Sequence, residues 1–211
     1  MAPEKQFYSI SGSSDNSTFT AQLKIKRSVF ICHLSHAGSI DAAKAFISHV
    51  SKENKTATHN CWAYIVGDAG QVYHSSDAGE PSGTAGRPIL NVLASRNMTR
   101  VAAVVTRHYG GVKLGIRGLI QAYSDVVAAA LDAAKKVRLV KTFQVRIQIP
   151  YECNDAFLHQ IRQCGAIIAH TDYGESVMHE IMVKYDMADP FYNMLSRYEN
   201  QGLVDLSQQK I

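Results

Sequence analysis

The chain has 211 residues, of which 46% are hydrophobic and 19% charged, a composition typical of a globular protein with one large or two small domains. No run of about eighteen apolar residues is present, so we expect no membrane span. The first residues lack the apolar core of a signal peptide and the four cysteines form no C-x-x-C pair. We therefore expect a cytoplasmic protein with reduced thiols.

The charge is unevenly divided along the chain. Residues 1–138 hold 16 Lys and Arg against 9 Asp and Glu, whereas residues 139–211 hold 6 against 9, which gives the net +4 of the whole chain. A basic first part indicates an anionic partner. The alternative is that its lysines and arginines are simply solvated.

The first part of the sequence predicts a loosely ordered polar lead-in over residues 1–17, followed by strands and two helices. Alternating β-formers and a G-D-A-G turn predict strands over residues 19–25, 28–34, 61–66, 71–75 and 101–106. Ser39 is placed to cap a helix that buries Ile40, Ala43, Ile47 and Val50. Pro88 suits the first turn of a short helix through Ala94.

A long helix is predicted to begin at Leu119. Its apolar stripe comprises Leu119, Tyr123, Val126 or Val127, Ala130, Leu131 and Ala134. The lysines at its end suit the negative end of the helix dipole. The basic run over residues 135–138 then predicts a domain boundary.

The rest of the chain predicts the element order β-α-β-β-α-β. Strands are expected over residues 142–149, 166–172, 176–185 and 203–206, with one helix capped by Asn154 and closed by Gly165 and another over residues 190–200. This is the ferredoxin-like order. The predicted fold class is therefore α/β (α+β), with a domain over residues 18–138 and a ferredoxin-like domain over residues 139–211.

Two glycine-rich segments carry the functional hypotheses. The first, residues 77–86 (D-A-G-E-P-S-G-T-A-G), predicts a loop in which Ser82 and Thr84 hydrogen-bond a ligand or the loop itself. Its acids, Asp77 and Glu80, either cap loop amides and pair with an arginine such as Arg87, or form a metal or general-base pair. We favour the first interpretation, because no further carboxylates or histidines follow at metal-ligand spacing.

The second segment, residues 107–118, lies between a buried strand and the long helix. Strand, glycine-rich loop and helix N-terminus is an arrangement typical of anion sites, because free helix amides meet negative charge there. Together with Ser82 and Thr84, the predicted anion-binding or nucleic-acid-binding residues are Arg107, Gly110, Gly111, Lys113, Gly115, Arg117 and Gly118. The alternative is that the glycines only allow tight packing. Neither a Walker motif nor G-x-G-x-x-G is present, so no cofactor is predicted.

Catalytic candidates are weaker. His59 or His108 could act with Asp77 and Glu80 as acid–base groups. His59 and Cys61 share one side of a strand, but two ligands do not make a zinc site, and no metal site is predicted. Tyr109 could be exposed and stack on a base.

Several segments together resemble the IMPACT family, and more narrowly its bacterial YigZ-type members. They are A-T-H-N-C-W-A-Y (57–64), D-A-G-E-P-S-G-T-A-G-R-P-I-L (77–90), V-V-T-R-H-Y-G-G-V-K-L-G (104–115) and G-L-I-Q-A-Y (118–123). The resemblance covers about residues 18–135. It implies a first domain similar to domain IV of elongation factor G and related ribosomal folds, and a second similar to the last domain of that factor.

The sequence departs from the family pattern inside these motifs. Ala78 stands where the family usually has a second acid, which argues against an Asp-Asp catalyst. Arg117 replaces one of two glycines, Gln121 replaces a helix arginine, and His108 stands within the usual R-Y-F-G-G. These differences keep the positive charge of the cleft but move it by one helical turn. A positive φ at Arg117 would cost about 1 kcal/mol.

Three functional hypotheses follow. The family's eukaryotic relatives regulate translation under amino-acid starvation by competing for a partner of a kinase. The resemblance therefore implies, first, a translation-associated regulator that binds RNA or the ribosome through a basic glycine-rich cleft. The second hypothesis is an enzyme acting on a small phosphorylated or carboxylated substrate. The third is a protein–protein regulatory module.

Overall fold

A computed structural model describes residues 6–11 and 18–204 of the protein. Contacts divide the chain into two compact units, Met1–Leu139 and Val140–Ile211. The division falls directly after the basic run over residues 135–138. Within the described residues, no helix combines the length and the apolar character needed to cross a bilayer.

The first unit combines seven strands and three helices over its described residues. In chain order these are β1 (Tyr8–Ile10), β2 (Phe19–Ile25), β3 (Ser28–His36), α1 (Ile40–Glu53), β4 (His59–Val66), β5 (Val72–Ser76), α2 (Gly86–Ser95), β6 (Val101–His108), α3 (Gly115–Ala133) and β7 (Lys136–Arg138).

Five of these strands form one antiparallel sheet in the order β2-β3-β6-β4-β5. Helices α2 and α3 pack against one face and α1 against the other. Strand β6 is central and covered on both faces, which explains why residues 101–107 are all buried and why the sequence there is almost continuously apolar.

Local sequence signals predict where the helices of the first unit begin and which faces they bury. Ser39 caps α1 as predicted, its Oγ accepting from the Ala42 amide at 3.1 Å. The predicted buried face is confirmed except for Ile40, which is 39% exposed because it lies in the first turn. Helix α3 buries the predicted stripe through Leu131 and also Ala122, and the last predicted residue, Ala134, is its buried C-cap. Its start at Leu119 was wrong, because the helix begins at Gly115.

Residues 8–10 form a strand, although the polar composition around them predicts a loosely ordered segment. Within the expected lead-in, β1 pairs with β7 in a separate two-stranded antiparallel sheet, and Ile10 is 2% exposed. Residues 1–5 and 12–17 lie outside the described residues. The basic run also differs from expectation, since Lys136 belongs to β7 rather than to the end of α3.

The second unit contains β8 (Thr142–Ile149), α4 (Tyr151–Gln163), β9 (Ile167–Tyr173), β10 (Val177–Lys184), a 3₁₀ turn (Tyr185–Met187) and α5 (Ala188–Asn200). Its described strands form an antiparallel sheet in the order β8-β10-β9. The core includes Phe157, Ile161, Phe191 and Leu195. Leu203 and Val204 are not in a strand, residues 205–206 lie outside the described residues, and the ferredoxin-like assignment stays a prediction.

The predicted cap of α4 was wrong. The helix begins at Tyr151, directly after Pro150, so Asn154 lies inside its first turn. The Asn154 Oδ1 instead lies 2.8 Å from the Nε2 of the buried His179, whose Nδ1 lies 2.9 Å from the Thr171 hydroxyl. Asn154 therefore provides a hydrogen-bond partner for the buried imidazole of His179.

Candidate functional site

The first glycine-rich segment is organised around the carboxylate of Asp77. Its Oδ2 accepts from the Gly83 amide at 2.8 Å, and its Oδ1 accepts from the amides of Ala85 at 2.9 Å and Gly86 at 2.8 Å. Since α2 begins at Gly86 and Ala85 has no capping side chain, Asp77 serves as its N-terminal acceptor. Of the two roles considered for Asp77, these bonds correspond to the capping of loop amides.

The ionisation of Asp77 follows from these bonds. Partial burial by itself raises the pKa of this carboxyl, but the three amide hydrogen bonds outweigh burial and hold the pKa below its ordinary value. The carboxylate is thus engaged in holding the loop.

The hydroxyl groups of the same segment have different surroundings. Thr84 is buried, and its Oγ1 donates to the Pro81 carbonyl at 2.7 Å. Of the two predicted alternatives for Thr84, a bond to a ligand or a bond within the loop, the structure has the bond within the loop. Ser82 is exposed, so its hydroxyl remains accessible to a ligand.

Arg107 is placed differently from its prediction as a surface phosphate contact. Strand β6 continues to His108, and the alternation of side chains along it places Arg107 on the same face as Val105, beneath α3. Its Nη1 lies 2.6 Å from Glu80 Oε1, with side chains only 6% and 3% exposed. The partner of Glu80 is therefore Arg107, and the expected partner Arg87 is exposed.

A buried polar cluster surrounds this ion pair. The Tyr123 hydroxyl donates to Glu80 Oε1 at 2.8 Å, and Cys61 Sγ lies 3.3 Å from that hydroxyl and 2.9 Å from the Asp77 carbonyl oxygen. Burial raises the pKa of the Cys61 thiol to about 12, and the bond to Tyr123 opposes this only in part. Burial also raises the pKa of Tyr123, so both groups are protonated at neutral pH.

The two glycine-rich segments lie side by side in the fold. The Glu80–Arg107 pair joins them, and His59 Nδ1 adds a contact of 2.9 Å to the Ala78 carbonyl oxygen. His59 lies opposite Arg107 in the β4–β6 pairing. His108, the next residue along β6, points to the opposite face of the sheet, so it is separated from the other acid–base candidates.

The second segment packs tightly on the turn between β2 and β3. A Cβ on Gly110 would lie 1.9 Å from the Arg27 carbonyl oxygen, so only glycine fits there. The Gly110 amide donates to the Ser28 hydroxyl at 3.2 Å, and Lys26 Nζ donates to the Lys113 carbonyl at 3.3 Å. This packing brings Lys26 and Arg27 beside the loop, a placement that the sequence analysis missed.

Four cations thus belong to the second segment and to the β2–β3 turn that packs on it. We call Lys26, Arg27, Lys113 and Arg117 the cationic cluster; all four are exposed, and none forms an ion pair with any described residue.

The backbone around the cluster shows where glycine is needed and corrects the predicted start of α3. Gly111 and Gly115 have φ of 81° and 75°, where glycine is favoured. Arg117 is absent from the described non-glycine residues with positive φ, so its side chain causes no backbone strain. Gly118 lies within the first turn of α3 rather than before it, and the first amides of the helix belong to Gly115 and its neighbours.

Among the residues that the structure describes, no three His, Cys, Asp or Glu side chains are grouped as metal ligands. The carboxylates of Asp77 and Glu80, the two acids of the first segment, already accept hydrogen bonds from protein groups. The arrangement offers exposed positive charge beside a rigid loop pair.

Comparison with known proteins identifies the class. The Impact N-terminal domain family matches residues 26–131. IMPACT family member YvyE of Bacillus subtilis is 34% identical over 187 residues, covering 89% of this chain and 86% of that protein. IMPACT family member YigZ of Escherichia coli is 37% identical, covering 74% and 77%.

A solved structure described as that of an hypothetical protein matches with a TM-score of 0.64 and 31% identity, covering 95% of each chain. Protein IMPACT of Rattus norvegicus is 35% identical over 100 residues, covering 45% of this chain and 31% of that protein. The fold and the loop pair therefore define a two-unit α/β protein with an Impact-type N-terminal domain. The chain belongs to the IMPACT family and is similar to its bacterial YigZ-type members.

Proposed function

We propose that this protein is a translation-associated regulator that binds RNA, free or within the ribosome, through the cationic cluster at the start of α3. The observation that carries the proposal is the grouping of four exposed, unpaired cations around a rigid loop, in a unit whose sequence is strongly basic. Family membership agrees with a role in translation.

The local electrostatics support an anionic ligand. The acids of the neighbouring segment form no ion pair with the cluster, because Glu80 is paired with buried Arg107 and Asp77 accepts three amide hydrogen bonds. The positive end of the α3 dipole adds to the same field. Exposed cations at the edge of rigid backbone are typical of phosphate contacts, which position a nucleic acid without reading its sequence.

The enzymatic hypothesis has less support. Glu80 is buried against Arg107, and Asp77 is occupied by loop amides, so neither carboxylate is placed as a free general base. His108 lies on the other face of the sheet from His59. His59, the other histidine proposed, does lie beside the first segment, with its Nδ1 2.9 Å from the Ala78 carbonyl oxygen, but both carboxylates that it would act with are engaged.

The test is the salt dependence of RNA binding. We expect the full-length protein to bind a labelled RNA hairpin, with an affinity that falls steeply between 50 and 200 mM salt as counterions are released. Lys113→Ala combined with Arg117→Ala should weaken binding and reduce the slope of log affinity against log salt by about 1.5. Fluorescence anisotropy at four salt concentrations measures both quantities.

Helix α1 offers a matched control. Lys44 and Lys52 are exposed and lie on the helix that covers the opposite face of the sheet. Lys44→Ala combined with Lys52→Ala removes the same charge and should leave the slope nearly unchanged. Equal losses in the two double variants would show attraction to overall charge rather than to the cluster, and an affinity independent of salt would refute the proposal.

A further inference from the structure

Tyr109 is an exposed aromatic residue fixed in place beside the cationic cluster. Its side chain is 44% exposed, although it follows a strand that is almost entirely buried. Its amide donates to the Thr58 hydroxyl at 3.0 Å. The next residue, Gly110, packs against the Arg27 backbone without room for a Cβ. The backbone on both sides of the ring is therefore held.

The ring is also supported from within the protein. The Arg107 guanidinium carbon lies 5.3 Å from the Tyr109 ring centroid and 5.3 Å from that of buried Phe30. Because Arg107 is itself buried and paired with Glu80, it backs the inner side of the Tyr109 ring. The exposed part of the ring is thus the side facing away from Arg107.

A fixed aromatic ring beside unpaired cations suits one ligand chemistry. A base that has left a duplex can stack on an aromatic face while its neighbouring phosphates meet lysine or arginine. A ring whose backbone is held and whose inner side packs on Arg107 loses less conformational entropy when the base stacks than a ring without these contacts. A base-paired strand cannot offer such a face except at its ends.

We infer that Tyr109 is a stacking platform for an unpaired nucleobase of an RNA strand whose phosphates contact Lys113 and Arg117. This inference rests on the proposed RNA binding and adds that the ligand is single-stranded at this point. Arg107 is a positioning residue in this arrangement, because it supports the ring and does not reach the ligand.

The test compares an unstructured RNA 12-mer with a blunt duplex of the same length. Tyr109→Ala should weaken binding of the single strand about 5- to 150-fold, the range expected for the loss of one stacked base. It should weaken duplex binding by a clearly smaller factor, because only the terminal base pairs of the duplex offer a stacking face. Tyr109→Phe should bind like the wild type, since the ring remains. Tyr73→Ala is the matched control, because Tyr73 is a 59% exposed tyrosine on β5.

A spectroscopic signal separates stacking from a general loss of structure. A 2-aminopurine in the single strand should lose fluorescence on binding to the wild type and to Tyr109→Phe, but not to Tyr109→Ala at saturating protein. Circular dichroism melts check that each variant is folded.

The possible failures are distinguishable. In one outcome, the slope of log affinity against log salt depends on Lys113 and Arg117, but Tyr109→Ala binds RNA like the wild type. The stacking inference is then wrong and the proposed function stands. Equal losses for single strand and duplex would also overturn the stacking inference. If neither RNA is bound, both proposals fail.

Discussion

Glu80 and Arg107 come from different glycine-rich segments, 27 residues apart, and meet as a buried ion pair with 2.6 Å between Oε1 and Nη1. The pair fixes the first segment against the end of the central strand. Tyr123 of α3 donates to the same carboxylate oxygen, so three elements are tied at one point. The Arg107 Nε has no hydrogen-bond partner among the described residues, so the charge is balanced mainly by Glu80.

Removing one member of this pair should destabilise the first unit strongly. Glu80→Ala leaves a buried guanidinium without its counter-charge, and we expect the free energy of unfolding to fall by about 3–5 kcal/mol. Adding Arg107→Met should recover part of the loss, because the orphaned charge is then gone. Urea denaturation measures each value.

An exposed ion pair provides the comparison. Asp68 pairs with Arg100, and its side chain is 81% exposed, so Asp68→Ala should cost less than about 1 kcal/mol. A similar cost for Glu80→Ala would mean that the Glu80–Arg107 pair is not isolated from water.

Asp77 should make the first unit sensitive to acid. Although partial burial raises its pKa, three amide hydrogen bonds hold the folded-state pKa of Asp77 below its ordinary value, so the unfolded chain binds more protons than the folded chain between the two pKa values. The stabilisation by Asp77 is complete above the unfolded pKa and is lost as the pH falls through the folded pKa. Melting temperatures of the wild type and Asp77→Asn should differ most at neutral pH and converge toward pH 2. A difference independent of pH would contradict the role of the charge.

Two adjacent glycines should respond differently to the same change. Gly110→Ala forces a Cβ into the Arg27 backbone, whereas a Cβ on Gly111 meets no atom within 4 Å and is opposed only by a φ of 81°. We expect about 1 kcal/mol for Gly111→Ala and a clearly larger loss for Gly110→Ala. Chemical denaturation of the two variants gives the comparison, and a reversed order would show that the β2–β3 turn moves freely.

Thiol reactivity should divide the cysteines into two pairs. Cys32 and Cys61 are buried with raised pKa values, that of Cys61 to about 12, so little thiolate is available at pH 8. Cys153 and Cys164 are partly exposed. Iodoacetamide under native conditions should therefore label the second pair first, as peptide mass spectrometry would record. Early labelling of Cys61 would show that the buried cluster opens readily.

Local signals in the sequence predict much of the fold because they act over a few residues. The hydroxyl of Ser39 followed by an apolar period predicts α1, and the spacing of apolar residues through Leu131 predicts the buried face of α3. The start of α3 was placed one turn late, because Gly115 is a poor helix former by propensity. Asn154 was misread as a cap for a similar reason, since asparagine favours caps in general.

The candidate site was harder to predict because its residues are far apart in the sequence. The sequence alone predicts that Arg107, at the end of a strand, is a surface cation. Its pairing with Glu80 depends on the fold, which brings the two residues together. The charges of Lys26 and Arg27 do not by themselves indicate that these residues belong to the site. Their position in the short gap between two predicted strands marked a turn, but the loop that this turn meets comes more than eighty residues later.

The pairing of β1 with β7 determines how the first unit responds to mechanical force. Tyr8 lies opposite Arg138 and Ile10 lies opposite Lys136, so the chain enters and leaves this small ladder at the same end. Tension between residues 7 and 139 therefore loads its hydrogen bonds one after another, as in unzipping, rather than all at once. Since Tyr8 also exchanges backbone hydrogen bonds with Asn97 and Thr99, at 2.9 and 2.8 Å, the same tension passes through β1 to the segment that precedes β6.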